Sequence, residues 1–297
     1  MRILGIVASC RNLGNSEILV KEALMAAEEQ GAEVDIVRWN DYTILPCEGD
    51  ATCVFGNRGC KYREKDDHEM LLKQIYGFDG LVLGVPCYFL EAHAVIKQFI
   101  DRLFILLTQP SEVRGKPAVI MVPYATRGWT SYAFLQPTIL LHQLGMDIID
   151  KVLIHVQAVS EAAADPVALE QARKVGIELV QSVKTGDHSY RGGPGICPIC
   201  HERDIHILKD NITVECGICG IRGTLSIVNG KIQVYFPEEQ FKWHRFSFEN
   251  MYRHVTYEIK PSKDYFTKVW TEFKQKRTKY AEYLDIKSPL SKSDEAR

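Results

Sequence analysis

Ile3-Leu4-Gly5-Ile6-Val7-Ala8, followed by Ser9-Cys10-Arg11-Asn12-Leu13-Gly14-Asn15-Ser16, decides the fold. The first run is apolar and reads as a buried strand. The second is a short polar turn. From Ile18 to Gln30 apolar residues recur every three to four positions, the period of an amphipathic helix. A strand, a turn and a helix start in this order aim the helix's free N–H groups and the positive end of its dipole at the turn. That is a ready-made phosphate site. Ser9, Asn15 and Ser16 add side-chain donors, Arg11 adds a fixed charge, and Gly14 lets the backbone come close. The loop is neither the dinucleotide pattern G-x-G-x-x-G nor a P-loop with its Lys-Ser/Thr pair. It suits a single terminal phosphate, as on FMN. The plainer alternative is a Ser- or Asn-capped helix start with no ligand.

The pattern that follows favours the phosphate. Glu33–Trp39, Gly80–Val85, Pro117–Pro123 and Ile148–Val156 read as further strands. Helical periods lie between and after them, near 66–76, 92–107, 130–144 and 160–183. Alternating strands and helices predict an α/β fold with a doubly wound, five-stranded parallel sheet. Ligands of such sheets sit beyond the carboxyl ends of the strands. Those ends carry Ser9–Ser16, then Pro86-Cys87-Tyr88-Phe89, then Tyr124-Ala125-Thr126-Arg127-Gly128. Three loops rich in donors and aromatics at one edge match a flat tricyclic ring with a phosphate tail.

The ordered set Ser9-x-Arg11-x-x-Gly14-Asn15-Ser16, Pro86-x-Tyr88-Phe89 and Lys97-x-Phe99-Ile100-Asp101-Arg102 resembles the NAD(P)H-dependent FMN reductases of flavodoxin-like fold, and more narrowly the iron–sulfur flavoproteins. The resemblance covers roughly the first 185 residues. It implies FMN, with phosphate on the first loop and the ring against the second and third, and NAD(P)H as reductant. It also implies a homodimer or homotetramer with the flavin near a subunit interface. Tyr88, Arg127 and Cys87 are the candidate catalytic groups near the ring. Cys87 stands where the family usually has a small apolar residue. It is either a reactive thiol or a small packed hydrophobe.

The chain has 297 residues, 46% of them hydrophobic, and a net charge of −2, which disfavours a general polyanion binder. No run of eighteen apolar residues occurs, so no membrane span is expected. The start reads as a core strand rather than a signal peptide. Nine cysteines fall mostly in clusters with metal-ligand spacing, which points to a cytoplasmic protein with reduced or metal-bound thiols. Cys47, Asp50, Cys53 and Cys60 lie in the loop after the second strand. Iron–sulfur flavoproteins carry a four-cysteine motif there, which holds a 4Fe–4S cluster. Three cysteines match it, and Asp50 stands at the second position. An oxygen ligand makes one iron labile, so the expectation is a 4Fe–4S or 3Fe–4S cluster, against three thiols that bind nothing.

Cys197-x2-Cys200 and Cys216-x2-Cys219, fifteen residues apart, spell a four-thiolate metal site. β-prone stretches surround it, and Asn229-Gly230 reads as a hairpin turn. The module resembles a zinc ribbon. Rubredoxin-like iron is the rival, but the aromatic core typical of rubredoxins is missing. Gly192–Gly195 reads as a linker. Beyond Phe241 the chain is aromatic and basic. A helix capped by Ser262 carries Phe266, Trp270, Phe273, Tyr280 and Leu284 on one stripe, expected to dock on the flavin domain or a sister subunit. His244 and His254 are expected to be packed or surface groups. The last eight residues read as disordered. The expected organisation is a flavin-binding domain (1–190), a small β zinc ribbon (191–240) and a C-terminal helical arm (241–297). The expected activity is FMN-dependent reduction of a small-molecule or protein acceptor. One alternative is a single-electron transfer flavoprotein with an iron–sulfur cluster. Another is a non-catalytic flavin or nucleic-acid sensor, although nucleic acid is not an expected partner.

Overall fold

The structure, a computed structural model, describes residues 1–56, 59–107, 111–193 and 195–284. The tail expected to be disordered and Pro194 of the linker lie outside these residues. Five strands form one parallel sheet: β1 (Arg2–Val7), β2 (Glu33–Arg38), β3 (Gly80–Gly84), β4 (Pro117–Tyr124) and β5 (Asp147–His155). Their order across the sheet is β2-β1-β3-β4-β5, the flavodoxin-like arrangement. Within registration of one or two residues these are the strands the apolar runs predict. β1, β3 and β4 are buried nearly throughout, because helices cover both faces.

The helices are α1 (Asn15–Glu29), α2 (His68–Tyr76), α3 (Val95–Asp101), α4 (Leu135–Gln143) and α5 (Pro166–Thr185). Three begin later than their periodicity suggests: the stretch expected from 160 holds a 3₁₀ turn, Glu161–Ala164, before α5. The stretch expected to be helical from 92 starts only at Val95, after a small hairpin of Cys87–Tyr88 against Glu91–Ala92, and ends in a 3₁₀ segment over Leu103–Leu107. The expected helix at 130 starts only at Leu135. On one face of the sheet Trp39 and Phe99 stack at 4.1 Å within a core shared by α2, α3 and α4. On the other, α1 and α5 pack together over β1, β3 and β4.

Glycine sets how close α1 can lie. A Cβ on Gly84 of β3 would stand 2.4 Å from a Val20 methyl and 3.0 Å from the Ser16 carbonyl. One on Gly176 of α5 would stand 2.0 Å from the Ala23 carbonyl. The helix that opens the phosphate loop is therefore clamped between a strand and α5 by backbone contact.

The ribbon is a four-stranded antiparallel sheet: β6 (Ile205–Ile207), β7 (Thr213–Cys216), β8 (Arg222–Val228) and β9 (Lys231–Tyr235), in the order β9-β8-β7-β6. It packs on the edge of the main sheet. Lys151 of β5 donates to the Cys200 carbonyl at 2.9 Å and pairs with Glu202, which also accepts from Thr138 at 3.0 Å. The Tyr190 and His201 rings stack at 3.8 Å. Met1–Tyr252 is one compact unit and Arg253–Arg297 a second.

In the second unit, the helical turn His254–Ile259 runs directly into α6 (Lys260–Ala281). Ser262 does not cap α6, because the chain is already helical there. Its hydroxyl bonds the Ile259 carbonyl. Phe266, Trp270, Phe273, Tyr280 and Leu284, the stripe expected to dock, are exposed in the single chain. Basic side chains of the same helix lie over the rings. Arg277 sits 5.0 Å from the Trp270 centroid and Lys279 4.7 Å from Tyr280. His254 pairs with Glu258 at 2.7 Å.

Gly176→Ala should force α1 and α5 apart, because backbone opposes the new methyl. Overpacking of this kind costs about 1–3 kcal/mol or more. Urea unfolding of the variant should show that loss, and an unchanged midpoint would contradict the clamp.

Candidate active site and metal centres

The carboxyl edge of the sheet carries a cleft lined by Ser9, Arg11, Asn15, Ser16, Pro86, Cys87, Tyr88, Tyr124 and Ala125. All nine are among the cofactor residues expected from sequence. Pro123 of β4 and, after β5, Val156 and Gln157 complete the wall. Gly14, the N-cap of α1, and Phe89, Thr126 and Arg127 of the adjoining loops do not line it.

The phosphate end is built by α1. Its N-cap is Gly14, and no side chain caps it. The contrast with α5 is direct, since there Asp165 accepts from the N–H groups of Val167 and Ala168. An uncapped first turn beside two buried hydroxyls, Ser9 and Ser16, and the Arg11 side chain offers donors without an acceptor. That donor set fits a phosphate dianion. Gly14 is needed for the tightness of the turn, since a Cβ there would meet Arg11 Cβ at 2.9 Å. The left-handed residue of the loop is Leu13, with φ of 48°. Asn15 braces the loop: its Nδ2 donates to the Ala158 carbonyl at 2.8 Å and its Oδ1 accepts from Ala162 N–H at 3.1 Å.

Glu17 and Arg38 escape the sequence reading, because they lie on different elements and form no motif. Glu17 Oε2 accepts from the Leu13 N–H at 2.6 Å, and its carboxylate pairs with Arg38 from β2 and with Lys21. Burial alone would raise the Glu17 carboxyl. The Lys21 hydrogen bond, the Leu13 N–H and the Arg38 charge together hold it below the usual carboxylate range. Arg38 also donates to Asn12 Oδ1 at 2.9 Å, so one ion pair fixes the loop at two points.

At the ring end, the Cys87–Tyr88/Glu91–Ala92 hairpin turns through Phe89 and Leu90, with φ of 48° and 77°. Two bulky residues at positive φ hold a turn that normally takes Asn-Gly. Cys87 donates to the Trp129 carbonyl at 3.2 Å, and burial pushes its thiol up, so it stands as a packed thiol. Tyr88 is partly exposed and its ring meets His93 edge-on at 5.5 Å. Arg127 Nη2 lies 3.4 Å from His155 Nδ1.

His93 is a second residue without a sequence signal. The Val95 backbone N–H points at its Nδ1 at 3.2 Å, so that nitrogen is an acceptor. Burial holds the ring neutral. Its proton is therefore on Nε2, which faces the Cys10 sulfur at 3.6 Å. Asn40 Nδ2 donates to the same sulfur at 3.1 Å.

Cys197, Cys200, Cys216 and Cys219 are buried, with all four sulfurs within 4.8 Å of one another. Cys197–Cys219 and Cys200–Cys216 are 3.3 and 3.4 Å apart. Tetrahedral Zn–S bonds of about 2.3 Å would set sulfurs about 3.8 Å apart, so the set fits one metal ion. Among the described residues no other group of three or more such ligands converges so closely. Cys47, Asp50, Cys53 and Cys60 line one cavity instead. Burial and the neighbouring Cys60 and Cys47 push the Cys53 thiol up. Asp50 is already engaged. Thr52 N–H and Oγ1 bond it at 3.2 and 3.1 Å, and Lys61 lies 3.4 Å away. Arg102, in a buried ion pair with Asp66, donates to Cys60 Sγ at 3.2 Å.

Residues 1–159 match the NADPH-dependent FMN reductases. The chain belongs to that family and has a flavodoxin-like fold. It is 36% identical over 106 residues to an iron–sulfur flavoprotein of Methanocaldococcus jannaschii, covering 34% of this chain and 51% of that one. The chain thus spans about half the length of that relative. A flavone synthase of Aspergillus candidus is 28% identical over 258 residues, 76% of this chain and 79% of its own. A solved flavone reductase shares the fold with a TM-score of 0.79 and 22% identity, over 97% of this chain and 100% of that one.

Arg38→Ala should leave Glu17 without its partner from β2 and destabilise the protein by about 2–3 kcal/mol at neutral pH. The Glu17 pKa is lowered by folding, so its contribution is present above the model-compound value of 4.5 and is lost as pH falls through the folded value. Urea midpoints of wild type and variant should therefore converge as pH drops below 4.5. A gap that stays constant to pH 3 would assign the effect to something other than this pair.

Proposed function

We propose that this chain is an NADPH-dependent reductase whose acceptor is a planar, conjugated small molecule of the flavone type. The observation that carries this is the aromatic rim of the cleft. Tyr88, Phe89, Trp129 and Tyr132 are all exposed on the loops around it, beside a polar phosphate end. The two relatives matched over most of this chain support it, being a flavone synthase and a flavone reductase. FMN, when bound, supplies hydride transfer between the nicotinamide and the acceptor. Ser9, Arg11, Ser16 and the α1 N-terminus hold its phosphate, with Gly14 and Asn15 shaping the loop. Pro86–Phe89 and Tyr124–Arg127 flank its ring. Tyr88 is the proton donor to the acceptor, and Arg127 polarises the acceptor carbonyl. The exposed rim also suits a homodimer or homotetramer.

The ribbon is proposed to hold zinc. A second reading, single-electron transfer to a protein partner through an iron–sulfur cluster, has one observation behind it: Cys47, Cys53 and Cys60 line one cavity, where Arg102 donates to the Cys60 sulfur. Among the described residues no helix is long and apolar enough to cross a membrane. The proposed setting is the cytoplasm.

Arg11→Ala should weaken FMN about tenfold or more while barely changing riboflavin, because it removes a charge-assisted bond to the phosphate alone. Equal losses would move Arg11 away from the phosphate. Anaerobic turnover of the FMN-loaded protein with NADPH should convert a flavone to its 2,3-dihydro product. Turnover with cytochrome c but not with flavones would favour the second reading.

Metal analysis of the same protein should find one zinc per chain. After anaerobic reconstitution, Asp50→Cys should raise iron content if a cluster forms. Zero iron in wild type and variant would remove the cluster.

A further inference from the structure

Arg38, Arg102 and Arg173 each pair with a carboxylate, of Glu17, Asp66 and Glu22. The two arginines at the flavin cleft do not. Among the described residues neither Arg11 nor Arg127 has a carboxylate partner. The phosphate accounts for Arg11. Arg127 keeps an unneutralised charge beside the ring end of the cleft, and its side chain is nevertheless held.

The holder is His155, the last residue of β5. Its Nε2 lies 3.1 Å from the Ala125 carbonyl, and a carbonyl only accepts, so Nε2 carries the ring's proton. Its Nδ1 lies 3.4 Å from Arg127 Nη2. A proton on Nδ1 would set N–H against N–H there, so the geometry requires a lone pair at Nδ1, which accepts from the guanidinium. The His155 ring also meets the Tyr124 ring edge-on at 5.2 Å. Tyr124 and Ala125 line the cleft on one side of His155, and Val156 and Gln157 line it on the other, so His155 joins two parts of the cleft wall.

We propose that His155 is a positioning residue: it tethers Arg127 beside the cleft through a neutral acceptor, so that the guanidinium keeps its full charge for the carbonyl oxygen of the acceptor molecule. The inference rests on the reading of Arg127 given above. A carboxylate in place of the imidazole would hold the same N–H more tightly, but it would cancel the charge. The reaction needs that charge. Hydride delivered to the β-carbon of a conjugated ketone moves the π pair onto the carbonyl oxygen, and a proton at the α-carbon then completes the saturated product. A fixed cation at that oxygen stabilises the charge as it develops. An exposed arginine side chain otherwise samples many rotamers, and a tether at its tip reduces the freedom lost when the acceptor arrives.

Stopped-flow measurement on the FMN-loaded full chain separates reduction of the flavin by NADPH from its anaerobic reoxidation by an acceptor. The acceptors are flavone and menadione, each of which presents a carbonyl oxygen. Arg127→Ala should slow reoxidation about tenfold or more, and His155→Leu about tenfold. The double variant should be no slower than Arg127→Ala alone, because His155 acts through that side chain. His155→Gln keeps a neutral acceptor and should recover most of the rate, while His155→Glu should not. Gln and Glu are nearly isosteric, so their difference reads the charge and decides the matter even where His155→Leu fails to fold. Reduction by NADPH should stay within about twofold throughout. Additive losses, or a His155→Glu rate equal to that of wild type, overturn the proposal. So does slower reduction by NADPH in Arg127→Ala, which assigns the charge to the reductant. Reoxidation by menadione but not by flavone removes the flavone reading alone, and the cycle is then read on menadione. Reoxidation by neither overturns both.

Discussion

A helix N-terminus without a cap is a standing electrostatic imbalance, and the flavin half of this molecule is organised around one. Several N–H groups and half a positive charge point out of α1 into a loop that supplies no carboxylate or hydroxyl cap. The carboxylate that is close, Glu17, is turned away from the cleft by Arg38 and Lys21. It bonds the loop backbone at Leu13 from behind. The negative charge that α1 could have used for its own stability therefore shapes the loop, and the open donors remain for a phosphate. The close approach of Ser16 and Val20 to Gly84 and of Ala23 to Gly176 keeps that helix start at a fixed depth.

The fold was legible because it rests on period and order. β1, the polar turn and α1 are consecutive, and each announces itself by composition. The parallel order followed from alternation, and the knuckles from their spacing. What stayed hidden was made by residues distant in sequence or by turns with the wrong chemistry. Glu17 and Arg38 lie in different elements. Phe89-Leu90 is no hairpin signal, since neither residue favours positive φ, so the sequence shows a ligand loop at Pro86–Phe89 but not the small hairpin it belongs to. His93 is an ordinary histidine until the N–H of Val95 fixes its tautomer. Asn15 was legible as a site residue but not in its manner, because Ala158 and Ala162, which use up its amide, lie far along the chain. The aromatic stripe of α6 had the right period. Arg277 and Lys279 lie over two of its rings, Trp270 and Tyr280, which a count of apolar positions ignores.

Edge strands need cover, and this explains where the ribbon sits. β5 is the last strand of the sheet, and its outer edge would otherwise present open backbone groups. The returning chain meets it first, through the Arg191 N–H to the Ile149 carbonyl at 2.7 Å. Lys151 then reaches from β5 to Cys200 and Glu202. A buried lysine is tolerable only with such partners, so the ribbon and the edge strand stabilise each other.

The same coupling would make a metal at the four thiolates a structural element of the whole compact unit. Four buried thiols in contact cannot all carry charge without a cation between them, and a ribbon of this size has too small a core to hold its shape alone. Its outer strap, residues 241–249, is tied to the knuckle by Arg245, and its inner face to α4 by Thr138 and Glu202. Shape is thus transmitted from the four sulfurs in two directions, outward to the strap and inward to β5 and α4. The flavin cleft is shaped from the other end of the same strands, by Tyr124 and the residues after β5. One parallel sheet carries a cleft where its strands end and a groove beside the four-thiolate knuckle where they begin. Because its strands are continuous and buried, each end can be built with little regard to the other.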